Sequence, residues 1–186
     1  MDEGAIRILL VDDHELIRSG LGSVIDLEPD LNVVGTAGTV SEALTRYDEL
    51  DPEVVIADLQ LPDGTGLDIV RAIRGKSDTT GVVVLTMHSG DEQIFAAMQA
   101  GASGFVGKDA PAGEVVKAAR HASVSPRAFI CAGLAGAMVR RASGESSKLT
   151  ERVHDVLLLL AEGLGAAQIG RQLYLSESTA KSHIAR

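Results

Sequence analysis

Five short apolar runs, each followed by a stretch of helical periodicity, leave this chain few folds to adopt. The runs are residues 6–11, 32–35, 54–58, 82–86 and 104–106, rich in Val and Ile. They are too short for helices and read as strands. After the first, Leu16, Ile17, Leu21, Val24 and Ile25 share a helical face. Thr39 with Glu42 forms a capping-box pattern that opens a second helix to about residue 50. Leu67, Ile69, Val70 and Ile73 carry a third over 66–74, and a fourth spans about 91–100. The fifth begins near Pro111, a residue suited to a first helical turn, and ends near His121. Strand–helix alternation implies a parallel sheet covered on both faces. Right-handed crossovers then favour the strand order 2-1-3-4-5.

The polar residues at the carboxyl ends of these runs carry the chemistry. In open α/β sheets, ligands bind just outside those ends. The first run ends in Asp12 and Asp13, the third in Asp58, the fourth in Thr86 and the fifth near Lys108. Pro62, Gly64 and Gly66 turn the chain sharply after Asp58. Taken singly, each residue has an ordinary explanation: a helix cap, a strand-end hydroxyl, a solvated lysine. Five such residues at matched strand ends point to one pocket. Three carboxylates together repel, and a divalent cation relieves the repulsion. All-oxygen ligation favours Mg²⁺. A lysine opposite would hold a phosphoryl oxygen as a point charge, and a threonine hydroxyl would bind another. Asp58 would be the nucleophile, because a carboxylate can form an aspartyl-phosphate. Asp63-Gly64-Thr65 resembles part of a haloacid-dehalogenase phosphatase signature. That reading fails because Leu61, at the nucleophile spacing, carries no nucleophile.

Charge divides the chain. The net charge is −9 over 186 residues; residues 1–125 carry −12 and residues 126–186 carry +3. An acidic front and a mildly basic back suggest two modules with different partners. Aromatics are only 3%, so the core must be built from Val, Leu, Ile and Ala. The single Cys131 excludes an internal disulfide and fits a reducing compartment. No apolar run approaches the ~20 residues needed to cross a bilayer. The acidic start Met1-Asp2-Glu3 runs straight into a strand with no secretory signal, so a cytoplasmic location without membrane attachment is expected.

In the back module, residues 127–142 read as one helix with Phe129, Ile130, Leu134, Met138 and Val139 apolar. It is expected to be a connector or a dimer contact. Ser143-Gly144-Glu145-Ser146-Ser147 has linker composition. Thr150 is a plausible cap for a helix whose apolar face is Val153, Val156, Leu157, Leu160 and Ala161, ended by Gly163. A short helix over 166–173, a turn, and a third helix from about Glu177 complete a helix-turn-helix pattern. Ala180 and Ile184 face its core, while Lys181, Ser182 and Ala185 face outward, where a recognition helix meets the major groove.

Asp12-Asp13, Asp58 with Leu61-Pro62-Asp63-Gly64, Leu85-Thr86, Gly101-Ala102-x-Gly104-Phe105 and Lys108 resemble the receiver domain of bacterial two-component response regulators. Leu149-Thr150-Glu151-Arg152, Leu159-x-Ala161-Glu162-Gly163, Gln168-Ile169 and Leu175-Ser176-x-Ser178-Thr179-x-Lys181-Ser182-His183 resemble the LuxR-type helix-turn-helix of the NarL/FixJ subfamily. The resemblance implies a five-stranded flavodoxin-like (βα)5 receiver over 1–122, a linker with a helix over 123–147, and a small all-α DNA-binding module over 148–186. It implies a regulator of transcription rather than an enzyme.

By the same resemblance, a sensor histidine kinase transfers a phosphoryl group to Asp58. Asp13, Asp58 and the backbone carbonyl of Gln60 ligate Mg²⁺ with help from Asp12. Thr86 and Lys108 bind the phosphoryl oxygens, and Thr86 with Phe105 forms the switch. Met87 stands where the family often has a small residue, and His88 flanks the site. Thr179, Lys181, Ser182 and Ala185 are the expected contacts to promoter DNA, with homodimerisation on activation. Gly170 stands at a helical position, at a cost of about 1 kcal/mol relative to Ala. The family's recognition helix continues beyond the point matched by Arg186, so DNA binding by residues 149–186 alone is expected to be weakened. Two competing expectations are a signalling interaction module without DNA output and a receiver that acts without phosphorylation.

Overall fold

The computed structural model describes residues 4–87 and 90–142 together with Gln168, which is helical. The chain divides into two compact units, Met1–Leu134 and Ala135–Arg186. The first is an α/β sandwich. Its strands and helices alternate as β1 (Ile6–Val11), α1 (Glu15–Asp26), β2 (Leu31–Ala37), α2 (Val40–Leu50) and β3 (Val54–Asp58). A two-stranded hairpin, β4 (Gln60–Leu61) and β5 (Gly64–Thr65), leads into α3 (Gly66–Arg74). Then follow β6 (Gly81–Thr86), α4 (Asp91–Ala100), β7 (Gly104–Gly107), α5 (Ala112–Val124) and β8 (Ile130–Cys131).

The main sheet is parallel throughout, in the order β2-β1-β3-β6-β7-β8. Apart from β8, this is the 2-1-3-4-5 order expected from the crossover rule, the hairpin lying outside that sheet. Every residue of the central strands β3 and β6 is buried. This is the pattern of a sheet covered on both faces, and it explains why these runs are apolar rather than alternating. Ile8, Leu10, Ile56 and Val83 meet Ile25 of α1 and Val115, Val116 and Ala119 of α5 in one core cluster. Each fully buried branched aliphatic contributes about 1.5–3 kcal/mol over an exposed one.

The helix starts follow local chemistry. Thr39 Oγ1 accepts a hydrogen bond from Glu42 N at 3.1 Å, but Glu42 Oε2 accepts from Gly38 N rather than closing the expected capping box on Thr39. Leu16 lies off the buried stripe of α1 and is 88% exposed, while Ile25 is fully buried. A helix buries a stripe and leaves its margin in solvent.

The largest difference from expectation lies after α5. Residues 127–142 do not form one helix. The chain turns at residues 126–128 and lays β8 alongside β7, with Ile130 opposite Gly104 and Cys131 opposite Phe105. It then bends at Gly133, whose φ of +87° suits glycine, before α6 (Leu134–Ala142). The sheet therefore has a sixth strand. The apolar spacing of Ile130, Leu134 and Met138 mimics a helix, but the exposed edge of β7 offers Ile130 N a partner, Ser103 O, at 3.0 Å. Arg74 fastens this strap from the end of α3. Its guanidinium donates to Gly101 O at 2.7 Å, Thr80 O at 2.7 Å, Pro126 O at 2.9 Å and Ser103 Oγ at 3.2 Å.

In the second unit, α6 has Arg140 and Arg141 in its last turn. The expected helix-turn-helix, including Thr179, Lys181, Ser182 and Ala185, lies outside the described residues, as does His88. Among the described residues, no helix is long and apolar enough to cross a membrane.

Candidate functional site

Strand geometry delivers the site. Asp58 is the last residue of β3 and Thr86 the last of β6, adjacent strands with Asp58 in register with Leu85. Asp12 follows β1, its N–H bonded to Ala37 O at 3.1 Å. Lys108 follows β7, its N–H bonded to Thr86 O at 2.7 Å. These backbone bonds extend the sheet ladder one residue past the strands, which is why four side chains from four strands meet. Asp12 is 0% exposed, Asp58 4% and Thr86 3%, while Asp13 stands on the rim.

Lys108 Nζ stands 2.5 Å from Asp12 Oδ2 and 2.6 Å from Asp58 Oδ2. Only the contact with Asp58 is a directed hydrogen bond. Asp12 Oδ2 is a buried carboxylate oxygen that accepts none and is held by proximity to charge alone. Burial pulls the Lys108 ammonium down, but its contacts with Asp12 and Asp58 together outweigh that and hold it above the ordinary lysine value. The lysine therefore stays charged at neutral pH.

The turn after Asp58 is tight. Gln60 N donates to Asp58 Oδ1 at 3.3 Å. At Gly66 a Cβ would lie 2.4 Å from Asp58 O, so only glycine lets the start of α3 approach the end of β3. Asp68 Oδ2 accepts from Thr65 N at 2.9 Å and Thr65 Oγ1 at 2.7 Å, closing the helix start. The site opens into a cavity of about 440 Å³ lined by Asp13, His14, Asp58, Gln60, Thr86 and Lys108, with Met87 exposed on its wall.

The donor set suits a cation. Oxygen atoms of Asp12, Asp13 and Asp58 and a ring nitrogen of His14 lie within 4.8 Å of one another. Asp12 Oδ2 and Asp58 Oδ2 both face the Lys108 ammonium, so an ion in this cluster would share these carboxylates with it. Asp12, Asp13, Asp58, Thr86 and Lys108, all named from strand ends, thus converge. Phe105, named as a switch residue, is 2% exposed in β7, between Val84 and Cys131.

Sequence reasoning missed three participants. His14 Nδ1 lies 2.7 Å from Asp13 Oδ1 and 3.3 Å from Asp12 Oδ1. Arg18 Nη1 donates to Asp12 O. Asp63 caps a helix distant in sequence, accepting from Val40 N at 2.7 Å and Ser41 N at 3.0 Å. Those two amide bonds hold the Asp63 carboxyl below its ordinary value. The Asp-Asp-His run was a signal for His14; nothing local pointed to Arg18 or Asp63.

Comparison with known proteins gives the family of the chain. Residues 8–120 match the response regulator receiver domain, and residues 147–186 match the bacterial regulatory proteins of the luxR family. The chain is 34% identical to the DNA-binding transcriptional activator DevR/DosR of Mycobacterium tuberculosis over 97% of its own length and 86% of that protein. It is 33% identical to the nitrate/nitrite response regulator NarL of Escherichia coli K12, over 95% of this chain and 85% of the other. Among solved structures, the response regulator ChrA of a heme-sensing two-component system is 33% identical. It covers 98% of this chain and 88% of its own, with a TM-score of 0.60. A LuxR-family response regulator from Aurantimonas sp. SI85-9A1 is 32% identical, covers 75% of this chain and 99% of its own, and has a TM-score of 0.69.

Proposed function

Because the chain belongs to the response regulators that join a receiver domain to a LuxR-type DNA-binding domain, we propose that Asp58 accepts a phosphoryl group from a sensor histidine kinase and so controls binding to promoter DNA. The observation that carries this reading is Lys108 Nζ, 2.6 Å from Asp58 Oδ2 and 2.5 Å from Asp12 Oδ2 in a buried acidic pocket. A charged lysine held against the acceptor carboxylate is ready to bind the incoming phosphoryl oxygens.

An Asp58 oxygen attacks the phosphorus of a phosphohistidine. The new O–P bond forms as the P–N bond breaks, and the imidazole leaves with the electron pair and takes up a proton. Lys108 passes its hydrogen bond from the carboxylate to a phosphoryl oxygen, and the Thr86 hydroxyl binds another. Such transfer needs positioning and charge neutralisation more than covalent help. Asp13, Asp58 and the Gln60 carbonyl would hold Mg²⁺ with Asp12 in support, and the ion would supply positive charge against the phosphoryl oxygens. Movement of Thr86 is passed to Phe105 and outward, biasing a two-state element.

The working division is a receiver over 1–122, a linker with a helix over 123–147 and a DNA-binding module over 148–186. Thr179, Lys181, Ser182 and Ala185 are its contacts to DNA, in a cytoplasmic protein that dimerises on activation. Intact mass after incubation with Mg²⁺ and a small phosphodonor tests the acceptor. Wild type should gain one phosphoryl group and Asp58→Ala none; an equal adduct in both would place the chemistry elsewhere. A gel shift across salt concentrations tests the output, because phosphate contacts make affinity fall steeply with salt.

A further inference from the structure

We propose that Asp63, outside the acidic pocket, is a positioning residue for phosphoryl uptake: it ties the β4–β5 hairpin to the start of α2 and so holds the Gln60 carbonyl in place. The inference rests on the reading of the pocket as the Mg²⁺ and phosphoryl site and adds a residue that tunes it from a distance. Gln60 pairs with Thr65 and Leu61 with Gly64, so Pro62 and Asp63 form the turn of the hairpin. From that turn the Asp63 carboxylate accepts from Val40 N at 2.7 Å and Ser41 N at 3.0 Å. These are first-turn amides of α2, which have no acceptor within the helix. Thr39, the helix's own cap, accepts from Glu42 N instead. A carboxylate at a helix N-terminus is favoured by the dipole, and two oxygens on two amides set orientation as well as position.

The hairpin has few other directed supports. It has two residues in each strand and lies outside the main sheet. Gly66 N donates to Leu59 O at 3.0 Å and closes its base. Thr65 N, opposite Gln60, donates to Asp68 Oδ2 at 2.9 Å. At the tip, a Cβ on Gly64 would lie 3.2 Å from Val40 Cγ2, so the turn is lodged against α2. A pair of strands this short moves as a unit, and a displaced tip carries Gln60 with it. Mg²⁺ demands near-ideal octahedral geometry, so a displaced carbonyl weakens its binding.

Mg²⁺ would be titrated into the full chain and followed by backbone amide NMR, below the melting transition of every variant. The Leu61 amide nitrogen, bonded to the Gln60 carbonyl carbon, reports the site directly. We expect Asp63→Ala to weaken Mg²⁺ binding about threefold to tenfold. Its phosphoryl uptake from a small phosphodonor, read by intact mass, should recover at saturating Mg²⁺. Asp63→Asn, which keeps one acceptor oxygen, should fall between Asp63→Ala and wild type. Thr39→Ala loosens the same helix start without touching the hairpin and should bind Mg²⁺ like wild type. Wild-type affinity in Asp63→Ala would overturn the proposal. So would equal weakening in Asp63→Asn, which marks loss of charge alone, or in Thr39→Ala, which marks general loosening of α2. If wild type shows no saturable shift that Asp58→Ala removes, the pocket is not the cation site and the reading beneath the proposal falls with it.

Discussion

Lys108, at the end of β7, reaches across the sheet to lie 2.6 Å from Asp58 at the end of β3, two strands away. Asp12, at the end of β1, shares the same ammonium at 2.5 Å. One cation therefore faces two buried carboxylates contributed by different strands and leaves one negative charge of the three groups unbalanced.

Removing that cation should be felt in stability. Lys108→Met leaves Asp12 and Asp58 facing each other, and we expect a loss of up to about 3 kcal/mol by urea unfolding in chelator. Added Mg²⁺ should recover part of it. The sign with pH follows from the raised lysine value. A raised group contributes fully below its unfolded value and loses its contribution as pH rises through its folded one. The difference between wild type and Lys108→Met should thus hold from neutral pH to about 10.4 and fall away above it.

Gly66→Ala tests the close approach behind Asp58. The new Cβ would meet Asp58 O at 2.4 Å, and backbone rather than a flexible side chain must yield. We expect a destabilisation of about 1–3 kcal/mol by denaturant titration. Phosphoryl uptake, read by intact mass, should fall with it, because the strain displaces Asp58 itself.

Asp63→Asn weakens the cap on α2. The Asp63 carboxylate accepts from Val40 N and Ser41 N, and those bonds hold its pKa down. A depressed acid contributes above its unfolded value and loses its contribution as pH falls through its folded one. The melting temperature of the variant should lie below that of wild type at neutral pH. The two should converge below about pH 3.9.

Arg74→Met releases the strap. The lost bonds include those to Pro126 O and Ser103 Oγ, which hold residues 126–131 against the sheet. Stability should drop by about 2 kcal/mol. Hydrogen exchange at the Ile130 amide, bonded to Ser103 O, should accelerate more than exchange in β3.

Much of the receiver's architecture is readable from local pattern. The runs at 54–58 and 82–86 are apolar at every position until Asp58 and Thr86, so their burial on both faces and their strand ends are visible together. Asp12, Asp13, Thr86 and Lys108 could be assigned to one edge for the same reason: parallel strands end on the same side. The strand β8 was not readable. It has two residues, and Ile130 with Leu134 and Met138 fits a helical face equally well. Only the unpaired edge of β7 decides against the helix there. Leu16 was assigned to the buried stripe of α1 and is exposed, because periodicity fixes a helix face but not the margin at which its neighbours stop.

The sequence by itself determined the strand–helix alternation, the order of the first five parallel strands and the residue types at their ends. These depend on side-chain period and crossover handedness, which act over a few residues or along successive elements. Tertiary structure decided how the polar groups are paired. It set Lys108 between two carboxylates and left Asp12 Oδ2 without a hydrogen bond. It bonded Asp63 to Val40 N and Ser41 N, and Arg74 to Pro126 O. Such pairings depend on distances of a few tenths of an ångström between segments far apart in the chain, and local pattern carries no record of those distances.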